Sequence, residues 1–182
     1  MGELTLVGTV STEGGPLLLA DRSAVGGWTG TEGNDYDRLC RRFDDGEPDA
    51  IQVDELGVQA LAWNVPTGTT EVWRVGPNSI ALCRVWLDQT VQHGRELAGL
   101  PFSQTTRLGS LSVLSGWFAV FWATATGDDL VSKSPADGQR LDLVVGTDGL
   151  ILALRPGNYE CVADEVAASS GSARRCLVRL VD

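Results

Sequence analysis

Apolar residues fall along the chain in short bursts separated by clusters of Gly, Ser, Thr, Asp and Pro. In the first half these bursts are ELTLVGTV (3–10), GPLLLA (15–20), AIQV (50–53), VQALAW (58–63), TEVWRV (70–75) and SIALCRVWL (79–87). The second half repeats the texture with SLSVL (110–114), WFAVFWA (117–123), LDLVV (141–145), LILAL (150–154), NYECVA (158–163) and RCLVRLV (175–181). Runs this short, rich in β-branched and aromatic residues, read as strands. GTDG between LDLVV and LILAL supplies residues that tolerate φ > 0, as a tight hairpin requires. A second hairpin links NYECVA to RCLVRLV through SSGSA. Strands at this density predict a mainly β protein, an antiparallel sandwich or barrel.

One segment has helical periodicity. In NDYDRLCRRF, Tyr36, Leu39, Cys40 and Phe43 stand at i, i+3, i+4 and i+7. Asn34 can cap the start, Asp35 and Asp37 occupy the first turn, and Arg41 and Arg42 the last. That order agrees with both capping and the helix dipole, so one short helix is predicted near 34–43. An internal echo aligns LGVQALAWNVPTGTT (56–70) with SGWFAVFWATATGDD (115–129) at an offset of 59. The chain therefore reads as a single compact domain over 1–182. Alternatively, it is two related β units, 1–88 and 110–182, joined by the polar stretch 89–109.

The chain has 182 residues, enough for one sizeable core, and carries 24 acidic against 14 basic residues for a net charge of −10. A charge of that sign argues against a nucleic-acid partner, which requires a cationic face. The acidity is local. Glu32, Asp35, Asp37, Asp44, Asp45, Glu47, Asp49, Asp54 and Glu55 sit in one window with only three arginines, which places −6 of the −10 within residues 32–55. The basic residues are arginines apart from Lys133, a usage that fits a GC-rich bacterial gene. The N-terminus has no basic region ahead of an apolar stretch, so no signal peptide is predicted. Twenty uncharged residues lie between Arg107 and Asp128, but serines, threonines and glycines interrupt them, and two strands fit better than a membrane span.

Much familiar chemistry is missing. His93 is the only histidine and lies in TVQHGREL, which reads as a loop. No GxSxG elbow, GxGxxG turn or phosphate-binding loop occurs. The cysteines Cys40, Cys83, Cys161 and Cys176 form no CxxC pair and read as free thiols in a cytoplasmic protein. No metal or cofactor is expected. DDGEPD (44–49) lacks the spacing of a calcium loop. Of six tryptophans, Trp63, Trp86 and Trp122 lie in apolar runs and read as core, whereas Trp28 in GGWTG and Trp73 in TEVWRV have polar neighbours and read as surface anchors. A carboxylate-dependent hydrolase, or a β module binding a carbohydrate or small ligand, stays open as an alternative.

The order of several motifs resembles the bacterial immunity protein twenty-one family. GGPLLLA (14–20), Trp28-x-Gly30, NDYDRLC (34–40) and ALAW (60–63) carry the first half of the resemblance. FAVFWATATGDDL (118–130), PGNYECVADE (156–165) and CLVRL (176–180) carry the second. The chain departs from the family after the ALAW strand, where NVPTGTT replaces an acidic or glycine-rich turn. The resemblance implies a stoichiometric inhibitor of a cognate toxin encoded beside it in a polymorphic toxin system, with no turnover and no cofactor. An acidic surface over residues 32–55 suits that role, because it can mimic a phosphate backbone in a cationic nuclease cleft. The expected interface comprises Asp35, Asp37, Asp44, Asp45, Glu47, Asp49, Asp54 and Glu55, with Trp28 and Trp73 as anchors.

Overall fold

A computed structural model of the chain describes residues 4–44, 49–53, 60–85, 91–132, 143–145, 149–168 and 171–181. The first half contains β1 (Thr5–Thr12), β2 (Gly15–Asp21), α1 (Arg22–Val25), α2 (Asp35–Asp44), β3 (Ala50–Val53), β4 (Ala60–Val65), β5 (Gly68–Gly76) and β6 (Ser79–Val85). After α3 (Val91–Gly99), the second half contains β7 (Thr106–Val113), β8 (Trp117–Trp122), α4 (Gly127–Ser132), β9 (Leu143–Val145), β10 (Gly149–Ala153), β11 (Gly157–Ala168) and β12 (Gly171–Val181). The architecture is the expected antiparallel β-sandwich. One sheet has the order β1-β5-β6-β12-β11-β7 and the other β3-β4-β2-β8-β10-β9.

Adding six to the number of any first-half strand gives the second-half strand in the matching place, so both sheets read alike from either end. The repeat reaches the level of residues. At an offset of 101, Thr5, Gly8, Ser11 and Gly15 fall on Thr106, Gly109, Ser112 and Gly116. A β-bulge interrupts the pairing at Val7 in β1 and at its counterpart Leu108 in β7. Gly15 and Gly116 open β2 and β8 with φ of 88° and 78°, where a side chain would be strained. At an offset of 89, Leu61, Trp63 and Val65 of β4 fall on Leu150 and Leu152 of β10 and on Leu154 just after it, and all six are buried between the sheets. Each sheet takes three strands from each repeat, so both repeats build one shared core. The echo at offset 59 is not this repeat. It sets β4 against β8, whereas the counterpart of β4 is β10 and that of β8 is β2.

The outer faces are covered as well. Val25 of α1, Leu39 of α2 and Leu130 of α4 cover the β2–β4–β8 sheet, and the predicted stripe of Tyr36, Leu39 and Phe43 packs onto it. α3 lies on the other sheet, with Ala98 against Trp73, Ala81 and Cys83. This helix corrects the reading of 89–109 as a polar joining stretch and of TVQHGREL as a loop. Its apolar face is short, and the buried Gly94 on it looks like a helix breaker in sequence. Gly94 is needed because a Cβ there would lie 1.6 Å from a carboxylate oxygen of Glu71. The uncharged stretch 108–127 forms most of β7, then β8 and the start of α4. Among the described residues no helix is long and apolar enough to cross a membrane.

The repeats also tie to each other by matched contacts made with different chemistry. Asp21, at the end of β2 and 1% exposed, accepts from Leu114 N (2.6 Å), Ser115 N (2.8 Å) and Ser23 N (2.8 Å). Its counterpart Trp122 instead donates through Nε1 to Gly14 O at 2.9 Å. Burial works to raise the Asp21 carboxyl, but the hydrogen bonds from Ser23, Ser115 and Leu114 outweigh it and hold the group below its ordinary value. A carboxyl with a lowered folded-state pKa contributes stability above the unfolded value and loses it as pH falls through the folded one. Asp21→Asn is therefore expected to cost about 2 kcal/mol at pH 7. In denaturant titrations that gap should close as pH drops below the ordinary aspartate value of 3.8. A gap unchanged across that range would contradict the assignment.

Candidate partner interface

The acidic window begins in the turn before α2. Asn34 takes a left-handed conformation (φ 70°), and its carbonyl accepts from Arg38 N at 3.1 Å to start the helix. Asp35 faces inward across this turn. Its Oδ2 accepts from Thr29 N (2.9 Å) and Thr29 Oγ1 (2.5 Å), and its Oδ1 pairs with Arg38 at 2.8 Å. Only 12% of the side chain is exposed, so Asp35 serves the turn rather than a surface. Tyr36 reaches the β1–β2 turn, where a Cβ on Gly15 would lie 2.7 Å from its hydroxyl. Burial and then the hydrogen bond with Cys40 push the Tyr36 hydroxyl up to about 12.

The outer side of α2 presents Asp37, Arg38, Arg41 and Asp44, all exposed, and Glu32 is exposed just ahead of it. Arg41 Nε donates to Asp37 O (3.3 Å), and Arg42 crosses to Gln52 O in β3 (3.2 Å). With three carboxylates and three guanidiniums, α2 is electrically balanced. The acidic excess of this region rests on its flanks. Asp49 lies just before β3, is 61% exposed and pairs with Arg174 of β12. Asp45, Glu47, Asp54 and Glu55 lie outside the described residues.

Both tryptophans expected at the surface are buried. Trp28 is 2% exposed, packs on the outer face of the β2–β4–β8 sheet and donates from Nε1 to Ala123 O at 2.8 Å. Its glycine neighbours let the chain fold back onto the sheet, which makes polar flanks a poor guide to exposure. Trp73 is 3% exposed beneath α3 and donates to Glu71 Oε2 at 2.9 Å. Burial pushes the Glu71 carboxyl up, with the Trp73 hydrogen bond opposing. All four cysteines are free, and burial pushes the Cys83 thiol up to about 12. Among the described residues no cluster of three or more His, Cys, Asp or Glu is arranged to hold a metal.

From Asp49 the surface continues into a cleft of about 430 Å³ between β3, the start of β7 and the β11–β12 hairpin. Arg107, Glu165 and Arg174 line it, and none of the three belongs to the acidic window. A sequence signal for Glu165 and Arg174 lay in the hairpin. Asp164-Glu165 and Arg174-Arg175 are symmetric about its turn, and the register sets Asp164 opposite Arg175 and Glu165 opposite Arg174.

Behind the cleft, Arg175 is fully buried. Its Nε and Nη2 grip both oxygens of Asp164 (2.9 and 2.6 Å). Nη1 donates to Leu97 O (2.6 Å) and Leu100 O (2.8 Å), and Nη2 also to Pro101 O (3.1 Å). The Phe102 ring stacks on the guanidinium, its centroid 4.0 Å away. Asp164 Oδ2 additionally accepts from Ser103 N at 3.2 Å. One ion pair thus satisfies the end of α3 and the segment that leads into β7. Removing one partner of a buried pair leaves the other charge unsatisfied, so Arg175→Met is expected to cost about 3–5 kcal/mol. Arg175→Met with Asp164→Leu should recover part of that loss in denaturant unfolding. A single substitution costing under about 1 kcal/mol would show that the pair is not needed for packing.

Comparison of the chain with protein-family models, with curated proteins and with solved structures returned no match.

Proposed function

We propose that this chain is an immunity protein that binds a cognate bacterial toxin domain in the cytoplasm and inhibits it stoichiometrically, without turnover or cofactor. The order of motifs resembling the immunity protein twenty-one family is one support. The observation that carries the reading is the placement of the acidic window. Tyr36, Leu39 and Phe43 anchor α2 in the core, while Glu32, Asp37, Asp44 and Asp49 stand exposed along the same stretch. A segment fixed from beneath and charged above offers a preorganised surface, which limits the ordering cost of association. Its carboxylates speed encounter with a cationic partner by long-range attraction. Because α2 itself is balanced, the contacts with most effect are its flanking acids rather than the whole helix.

The test is binding to the toxin domain encoded beside this chain, followed by stopped-flow association. Glu32→Lys with Asp49→Lys should slow association about tenfold at low salt, and the difference should shrink as salt screens it. Co-expression with the unmodified chain should rescue cells from that toxin. Tight binding insensitive to both salt and charge reversal would refute the acidic surface, and failure to bind or rescue would refute immunity itself.

A further inference from the structure

The internal repeat supplies a comparison within the molecule. Register carries Arg107 onto Leu6 and Asp164 onto Gly76 of the first repeat, and the β11–β12 hairpin then runs on beyond the point where β5 turns into β6, so Glu165 has no strand counterpart there. The bulge beside Arg107 has its counterpart beside Leu6, so the backbone is shaped alike in both places. The fold builds this bulged edge once with Leu6 and once with Arg107, so the backbone does not demand the arginine. Asp164 is accounted for by Arg175 and Ser103. Arg107 and Glu165 are not accounted for in this way. The Arg107 side chain is 68% exposed and, among the described residues, forms an ion pair with Glu160 at 3.6 Å, a solvent-exposed pair of the kind that exchanges readily. Glu165 is exposed, and its side chain makes no hydrogen bond or ion pair among the described residues.

The cleft also borders an open sheet edge, because β7 ends its sheet. Farther along β7 the edge is covered, where Ser110 O accepts from Gln52 Nε2 at 2.8 Å and Asp21 holds the turn after it. Thr106, Arg107 and Leu108 instead open into the cleft. An extended chain alongside such an edge can use its free backbone groups while its side chains meet the flanking charges.

We infer that this cleft is a second contact region for the protein partner, taking an extended segment that presents an acidic side chain to Arg107 and a basic one to Glu165. This rests on the immunity reading and adds a specificity element to it, since a partner with the opposite charge order meets like charges. The experiment is equilibrium binding of the neighbouring toxin domain to Arg107→Glu and Glu165→Arg variants. Hydrogen exchange of the unmodified complex is read alongside. Each variant should bind at least tenfold more weakly with an unchanged melting temperature, and the amides of Thr106–Leu108 should gain protection in the complex. Binding within twofold of the unmodified chain, with no added protection there, overturns the cleft but leaves the acidic surface standing. No binding by the unmodified chain overturns both.

Discussion

The five N–H donors of Arg175 set how the two repeats are joined. Two hold Asp164, its neighbour across the β11–β12 hairpin, and the rest hold carbonyls at the end of α3 and in the segment that enters β7. Helix ends leave carbonyls without partners, and here they sit under a buried guanidinium instead of in water. A lone buried arginine would be costly. Asp164 balances its charge, and Phe102 covers the face of the plane. With that clamp in place, α3 covers Trp73, Ala81 and Cys83, and β7 enters its sheet in the register that shapes the cleft.

The shared core shows how one backbone plan accepts different side chains at matching positions. Asp21 and Trp122 each bind the turn of the opposite repeat, one as acceptor and the other as donor. A second pair follows the same logic. Pro66 O accepts from Arg84 Nε at 2.7 Å, and its counterpart Arg155 O accepts from the Tyr159 hydroxyl at 2.7 Å. Arg84 is buried among Thr12, Thr70 and that carbonyl, and burial holds its pKa down at about 10. What persists between the repeats is the turn to be tied in the first pair and the carbonyl to be satisfied in the second, not the residue that does it.

That tolerance explains why the strands were legible and the alignment of the repeat was not. Short apolar runs located the strands, and the spacing of Tyr36, Leu39 and Phe43 located α2. The true offsets, 101 and 89, differ because the repeats carry unequal insertions between β2 and β4. Few identities mark them, so the chance echo at 59 stood out more. Helix α3 was hidden because its close approach to Glu71 demands Gly94. Trp28 and Trp73 misled for a related reason, since glycine and charged neighbours are compatible with burial where a partner such as Ala123 O or Glu71 is supplied by the fold. Asp37, Asp44 and Asp49 were placed at the surface by charge alone, whereas Arg107 gained meaning only from the fold.

The proposed cleft depends on the joining segment staying in place, since that segment leads into β7 and carries Ser103 at the cleft wall. Native-state hydrogen exchange on the unmodified chain tests that dependence most directly. If Arg175 couples α3 to the sheet, the α3 amides from Arg95 to Gly99 exchange together with the central amides of β12, only through opening of the whole fold. Exchange of those amides well ahead of β12, with β12 still protected, would contradict the account.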